Sequence, residues 1–212
     1  MNKINLMIIA LTTMSLSTIA QETTSENRDK LKIGIKGGLN YANVYDSEGE
    51  EFKADPKFGL ALGAFLTIPI GTTIGIQPEV VFSQKGFSAT GKILGLNYDF
   101  KRTTNYIDVP IFLALKPSEF FTILAGPQFS YLLSRKDVFA TAITTIEQEQ
   151  EFENDNIRKN TLGVSVGIDL NFSSLVLGAR AAWDLQNNNG DGTSVTPRYK
   201  NQWIQATVGF RF

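Results

Sequence analysis

From Leu31 to Phe212 the chain has a hydrophobic period of two, and no window sustains the i, i+3, i+4, i+7 apolar spacing of an amphipathic helix. The last segment shows it most clearly. Ile204, Ala206, Val208, Phe210 and Phe212 fall on one face, and Trp203, Gln205, Thr207, Gly209 and Arg211 on the other. Leu31, Ile33, Ile35, Leu39 and Tyr41 alternate in the same way with Lys32, Gly34, Lys36, Gly38 and Asn40. So do Leu162 to Leu170 and Leu175 to Trp183. Four further stretches, Phe58 to Ile68, Ile74 to Lys85, Tyr106 to Leu115 and Phe121 to Leu133, complete eight predicted strands. Each is long enough to cross a bilayer at a tilt, for which about 9–11 residues suffice.

The links between strands alternate in length. Long polar links fall at Val44–Pro56, Phe87–Asn105, Ser134–Asn160 and Gln186–Lys200, and short ones at Pro69–Thr73, Lys116–Phe120 and Phe172–Ser174. With eight strands, the three tight turns and both termini lie at one end and the four long loops at the other. Outer-membrane barrels have this asymmetry, with short periplasmic turns and long outer loops. The expected fold is therefore all-β: an eight-stranded antiparallel up-and-down transmembrane β-barrel with short periplasmic turns and long extracellular loops.

Alternation alone does not separate a membrane barrel from a soluble one that turns its apolar face inward. The polar face does. Its strand charges are Lys32, Lys36, Lys57, Glu79, Lys85, Asp108, Asp169, Arg180, Asp184 and Arg211, each opposite the apolar row of its own strand. Gly, Ala, Ser, Thr, Gln and Asn make up the rest as read from the sequence, which suits a narrow lumen filled by small side chains and paired charges. Aromatics gather at the strand ends: Phe121, Phe172 and Phe212 toward the short turns, and Tyr41, Phe58, Phe82, Tyr131 and Trp183 toward the long loops. Two such rims are expected at the two membrane interfaces.

Met1-Asn2-Lys3 followed by an apolar, Ser/Thr-diluted run to Ala20, with Thr18 and Ala20 as small residues before Gln21, reads as a secretory signal peptide over 1–20. Residues 21–30 have no apolar side chain and are expected to form a flexible periplasmic tail ahead of a barrel domain over 31–212.

Composition narrows the chemistry. The 212 residues include no Cys and no His. Disulfide scaffolds, thiolate metal sites, a cysteine nucleophile and the Ser-His-Asp triad are thereby excluded. A net charge of −1 carries no nucleic-acid footprint. Gly34-x-x-Gly37-Gly38 lacks the spacing and the following helix of a dinucleotide fingerprint, so glycine there relieves crowding within a strand. The acidic run Glu147–Asp155 lacks a Gly-punctuated ligand loop and reads as a solvated outer loop. Asn187-Asn-Asn-Gly-Asp-Gly192 resembles a fragment of a calcium loop but equally suits a turn. No cofactor or metal is expected, nor any enzymatic activity, because no nucleophile–base pair is found.

Several segments resemble the PorT-like outer-membrane β-barrel family of Bacteroidetes-type bacteria. They are Gly34–Asn40, Gln77–Gly86, Tyr106-Ile-Asp-Val-Pro110, Leu124-Ala-Gly-Pro127 and the terminal Val208-Gly-Phe-Arg-Phe212. The resemblance spans essentially all of the chain after residue 20. It implies a barrel in the outer membrane and the usual assembly route, with Phe212 in the terminal strand as the signal met by the barrel assembly machinery. It fixes no single biochemical activity.

The expected function is that of a non-enzymatic outer-membrane protein with a side-chain-filled lumen, structural in the envelope or binding through its outer loops. A soluble exported lipocalin-like carrier of a small apolar ligand is the alternative. Partners are outer-membrane lipid, the assembly machinery during biogenesis and an unidentified loop ligand. Within the lumen, Glu79 is expected to pair with one or more of Lys36, Arg180 and Arg211, because an unpaired carboxylate in so confined a space carries a large desolvation penalty.

Overall fold

A computed structural model describes residues 30–45, 54–93, 96–141, 144–150, 158–188 and 199–212. The expected signal peptide, and the tail up to residue 29, lie outside the described residues. Among the described residues nine strands are present: β1 (Lys32–Tyr45), β2 (Asp55–Pro69), β3 (Ile74–Ile93), β4 (Leu96–Leu115), β5 (Phe121–Thr141), β6 (Thr145–Gln150), β7 (Asn160–Phe172), β8 (Leu175–Asp184) and β9 (Lys200–Arg211). All neighbouring pairs are antiparallel. Eight of the strands close a ring in the order β1-β2-β3-β4-β5-β7-β8-β9, with β9 returning to β1, and β6 pairs only with the upper part of β5.

Closure runs from Gly34↔Arg211 to Tyr45↔Lys200, and the Phe212 amide extends it by donating to the Ile33 carbonyl at 2.8 Å. The ring therefore has no open edge, which a sheet in hydrocarbon requires because lipid offers the backbone no hydrogen-bond partner.

The apolar rows face outward. Ile33, Ile35 and Leu39 are 56%, 58% and 49% exposed, whereas Lys36 and Asn40 on the other face of the same strand are buried. Outward Leu60, Leu62, Val80, Leu113, Ile123, Val166, Ile204 and Val208 extend this surface around the ring. A soluble carrier would have the opposite polarity, so the lipocalin-like alternative is set aside. The aromatic rims are present as well. Tyr41 packs on Phe58 (4.9 Å between ring centroids) at one end and Phe120 on Phe172 (4.7 Å, edge-on) at the other.

Two segments expected as loops continue as sheet. The link Phe87–Asn105 forms the upper halves of β3 and β4, in unbroken register from Gly86↔Thr103 to Ile93↔Leu96. Ser134–Thr141 extends β5 and pairs with β6. The sequence reading took these segments as loops because polar and charged residues dominate them, although Phe87, Ala89 and Ile93 and then Leu96, Tyr98 and Phe100 alternate with polar residues. Cross-strand pairs hold them, including Tyr98 stacked on Phe139 (5.4 Å, 22°) and Phe87 against Phe100 (5.8 Å). Strands β3, β4 and β5 are thus 20, 20 and 21 residues long, against 10 for β8. At about 3.4 Å per residue and a tilt near 40°, 20 residues rise about 50 Å, roughly twice the ~25 Å apolar band of such barrels. The surplus stands above the upper aromatic rim as a four-stranded blade, β3-β4-β5-β6.

Two glycines mark places where any side chain would be refused. Gly34 lies under the inward Phe65 ring, whose Cζ would be 2.3 Å from an added Cβ. The first glycine of the Gly34–Gly38 motif is therefore a seat for a lumen aromatic. Gly86 has φ +142°, and a Cβ there would meet the Arg102 carbonyl at 2.0 Å. It sits where the wall of β3 passes into the blade.

Removing Phe210–Phe212 deletes the contacts of the last strand with Ile33, Ile35 and Leu175. The truncated chain is expected to lose the heat-modifiable gel mobility of a closed barrel. Retention of that mobility at normal abundance in membranes would contradict the closure role of the terminal strand.

Candidate functional site: a sealed lumen and the clasp above it

Of the ten charges assigned to the inner face, Lys36, Glu79, Lys85, Asp108, Asp169, Arg180 and Asp184 are buried, while Lys32, Lys57 and Arg211, nearer the two mouths, are half-buried. They are organised in layers along the barrel axis.

The lower layer is built on Glu79 of β3. Its Oε2 accepts a short hydrogen bond from Lys36 of β1, and its Oε1 accepts from Arg180 Nη2 of β8 at 3.2 Å and from Gln77 at 3.0 Å. Arg180 Nη1 donates in turn to Asp169 of β7 at 2.8 Å, and Gln77 Nε2 reaches the other Asp169 oxygen at 3.2 Å. Two cations and two carboxylates from four strands thus close a neutral ring across the lumen. Arg211 does not belong to it. Its guanidinium donates to Asn171 Oδ1 at 2.8 Å and to the Ser173 carbonyl at 2.7 Å, at the short-turn mouth. The physical reason is height. Arg211 pairs with Gly34 and lies one inward step beyond Lys36, level with the turn and out of reach of Glu79. Asp169 and Gln77 are the partners that sequence reasoning did not assign to the network, although both have inward parity.

The next layer is an uncharged bridge. Gln205 donates to Asn40 at 2.9 Å, and Asn40 donates to Ser83 at 2.9 Å and to the Gln84 carbonyl at 3.0 Å. Above it, Lys85 donates to Asp108 at 2.9 Å and to Ser130 at 3.3 Å, with its ammonium 3.6 Å from the Trp203 ring centroid and 4.5 Å from that of Tyr106. Large apolar side chains also fill the lumen. Phe65, Tyr106, Phe112, Leu124 and Trp203 are buried inward, where the sequence suggested mostly small polar residues.

These layers leave almost no space. The gap among Lys36, Phe65, Glu79, Asp169 and Arg180 is ≈ 0 Å³, and a second gap lined by Phe87, Arg102, Tyr106, Asn188, Tyr199 and Asn201 is ≈ 10 Å³, room for about one water. Among the described residues, the lumen is packed around the lower ring and beneath Arg102 and Tyr199.

Over it lies a charged clasp. Arg102 of β4 makes a two-pronged contact with Asp137 of β5, Nε to Oδ1 and Nη2 to Oδ2, both 2.8 Å. Arg135 donates from Nε to the same carboxylate at 2.8 Å, and Arg102 also meets the Tyr199 hydroxyl. The Arg102 guanidinium lies within 6 Å of the Phe87, Phe100 and Tyr199 rings. This clasp sits above the upper aromatic rim and ties the base of the blade to the segment entering β9. Burial alone would push the Asp137 carboxyl up, but the hydrogen bonds and charges of Arg102 and Arg135 outweigh it and hold the carboxyl below its usual range.

Residues 19–189 match the family model described as "Outer membrane protein beta-barrel domain". Among solved structures, Ail of Yersinia pestis is similar at TM-score 0.50 and 15% identity, covering 85% of this chain and 98% of its own. The Neisserial surface protein NspA (TM-score 0.46, 11% identity, 90% and 100% covered) and OprG of Pseudomonas aeruginosa (0.42, 13%, 88% and 98%) are also similar. No curated protein matches the sequence.

Three outcomes are expected. Glu79→Gln leaves Lys36 and Arg180 facing one carboxylate, and breaking a buried pair in this way costs about 3 kcal/mol, read as a lower unfolding midpoint in detergent. An unchanged midpoint would remove the lower ring as a stabilising element. Purified protein in planar bilayers should give no stable large conductance; reproducible porin-like steps would contradict the sealed lumen. The third concerns pH. Because the folded Asp137 carboxyl is held below its unfolded value, the clasp contributes its full stability above the ordinary carboxylate pKa of about 4 and loses it as pH falls through the lower folded value. Acidification should raise amide exchange in the blade before the barrel opens, and Asp137→Asn should show that exchange already at neutral pH.

Proposed function

We propose, for a chain that belongs to the outer membrane protein beta-barrel domain family and resides in the outer membrane, that the barrel is a sealed, non-enzymatic anchor and the blade above it is the binding element. The observation that carries this reading is the surplus length of β3, β4 and β5, about ten residues each beyond what a crossing needs. A protein that merely filled membrane would not require it. The blade also offers a surface of mixed chemistry: an open concavity of about 680 Å³ lined by Thr90, Lys92, Asn97, Tyr98, Asp99 and Thr141. An aromatic ring beside amide, cationic and anionic groups suits a polar ligand with an apolar face.

Within the family, the motifs Gly34–Asn40, Gln77–Gly86 and Tyr106–Pro110 favour a PorT-like member. Phe212, 70% exposed beside Phe210 at 5.1 Å, is offered to the assembly machinery as the terminal aromatic of the closing strand. Outer-membrane lipid is the solvent of the apolar rows.

Binding and purely structural roles are separated by trimming the blade, replacing 87–103 with a tight turn and shortening 135–150 likewise. The trimmed barrel should remain heat-modifiable in the outer membrane yet fail to restore the phenotype of a deletion strain. Full restoration would overturn the binding role and leave the barrel itself as the working part.

A further inference from the structure

The short-turn mouth gathers cations that the lumen does not neutralise. Lys32 of β1 and Arg211 of β9 both have inward parity, and the pairing Gly34↔Arg211 makes them diagonal neighbours on adjoining strands. Lys116, just past β4, is buried, and its ammonium lies over β3, where a Cβ added to Gly75 would be 3.3 Å from Nζ. Gly75 pairs with Pro69, two residues beyond Thr67, and Thr67 pairs with Lys32. Arg211, Lys32 and Lys116 therefore form an arc over β9, β1, β2 and β3. Lys32 is within electrostatic reach of the other two and of Lys30.

Carboxylates are scarce at this end. Glu119, in the turn after Lys116, reaches Lys32 and Arg211 electrostatically. Asp169 also acts on Arg211, but its two oxygens already accept from Arg180 and Gln77. The Phe65 ring, laid over Gly34 and Gly209, stands between the mouth and the neutral ring of Lys36 and Glu79. With Glu119 and the Phe212 carboxylate set against Lys30, Lys32, Lys116 and Arg211, the described residues of the mouth keep two positive charges in excess. Lys32 makes no hydrogen bond or ion pair among the described residues. Arg211 is held through Nε and Nη1 by Ser173 and Asn171, which leaves its Nη2 without a partner. Like charges crowded at a half-buried mouth cost stability until an anion joins them.

We propose that this mouth binds a phosphate group, with the Lys32 ammonium and Arg211 Nη2 as donors and Lys116 adding charge beside them. Charge-assisted bonds from an ammonium and a guanidinium suit a phosphate oxyanion. The height suits a lipid as its carrier. Arg211 is anchored to the carbonyl of Ser173, next to Phe172, and Phe172 packs on Phe120 in the lower aromatic rim, the level of the inner-leaflet headgroups. Basic side chains at that level attract anionic lipid. Free phosphate offers the same chemistry from the periplasm. In either form the phosphate would bridge β9 and β1 and clamp the seam at which the ring closes.

The test uses the full chain in detergent micelles, with inorganic phosphate compared against chloride at matched ionic strength and pH. Every arm carries Glu22→Gln, Glu26→Gln and Asp29→Asn, so that the segment before Lys30 supplies no counter-charge. Phosphate should raise the unfolding midpoint saturably. Lys32→Gln should raise the midpoint in chloride, because it relieves repulsion, and should increase the half-saturating phosphate concentration several-fold. Lys32→Arg should restore the parent response. A lysine with a purely structural role gives the opposite sign in chloride. Should Lys32→Gln fail to assemble, Lys32→Met, which keeps the apolar stem, supplies the comparison. A second arm places parent and variant in phosphatidylcholine vesicles with or without phosphatidylglycerol, in phosphate-free buffer. A midpoint raised by phosphatidylglycerol in the parent, and less so in Lys32→Gln, assigns the headgroup as the source; a response to inorganic phosphate alone assigns free phosphate. The site would be overturned by a midpoint that Lys32→Gln lowers in chloride, by shifts equal in parent and variant, or by no response to either form of phosphate.

Discussion

The pairing of β9 with β1 is the constraint on which everything else depends. In water an edge strand is a liability; in hydrocarbon each unpaired backbone group costs several kcal/mol, and a row of them is prohibitive. Once Gly34 to Tyr45 is matched to Arg211 to Lys200, the ring is fixed at eight strands and its inner width follows. Width then dictates contents. An interior of that size cannot hold a column of water with solvated charges, so each ionised group in it must find a partner or cost stability.

The inner face meets that demand by dividing its charges among layers. Lys36, Glu79, Arg180 and Asp169 neutralise one another across four strands, and Asn40, Ser83 and Gln205 join β1, β3 and β9 without charge. Lys85 and Asp108 pair beneath two aromatic rings. These contacts cross the lumen and hold opposite walls together, where wall-to-wall backbone pairing joins only neighbours. Buried ion pairs are weak evidence of net stability, but they are strong determinants of register, because a strand slipped by one residue would turn Glu79 or Arg180 into lipid.

Much of this was legible in the chain and some was not, for identifiable reasons. Alternation gave the number of barrel strands and the outward row, since Ile33, Ile35 and Leu39 leave no other face for lipid. Inward parity placed Glu79, Lys36 and Arg180 on one surface. Parity carries no information about height, however, and so Arg211 was grouped with residues one inward step higher than itself. Height depends on register, and register depends on turn geometry and on the shift between Pro56 and Ala61, which leave no periodic trace. The blade was invisible for a different reason. Phe87, Ala89 and Ile93 and then Leu96, Tyr98 and Phe100 do alternate, but the polar and charged residues between them made the stretch Phe87–Asn105 look like a loop.

The clasp of Arg102, Arg135 and Asp137 explains how a sheet with water on its faces persists above the membrane. Beyond the aromatic rim the ring of pairings is no longer needed, and β3, β4, β5 and β6 continue with β6 as an edge. Such a blade has few buried apolar contacts of its own. A two-pronged, charge-assisted contact between β4 and β5, with one guanidinium set among Phe87, Phe100 and Tyr199, supplies the missing core at its base. The membrane fixes the lower half of these three strands and the clasp fixes the start of the upper half. The orientation of the concavity at the tip is thereby inherited from the barrel, and a rigid anchor becomes a means of holding a binding surface at a set height and angle above the lipid.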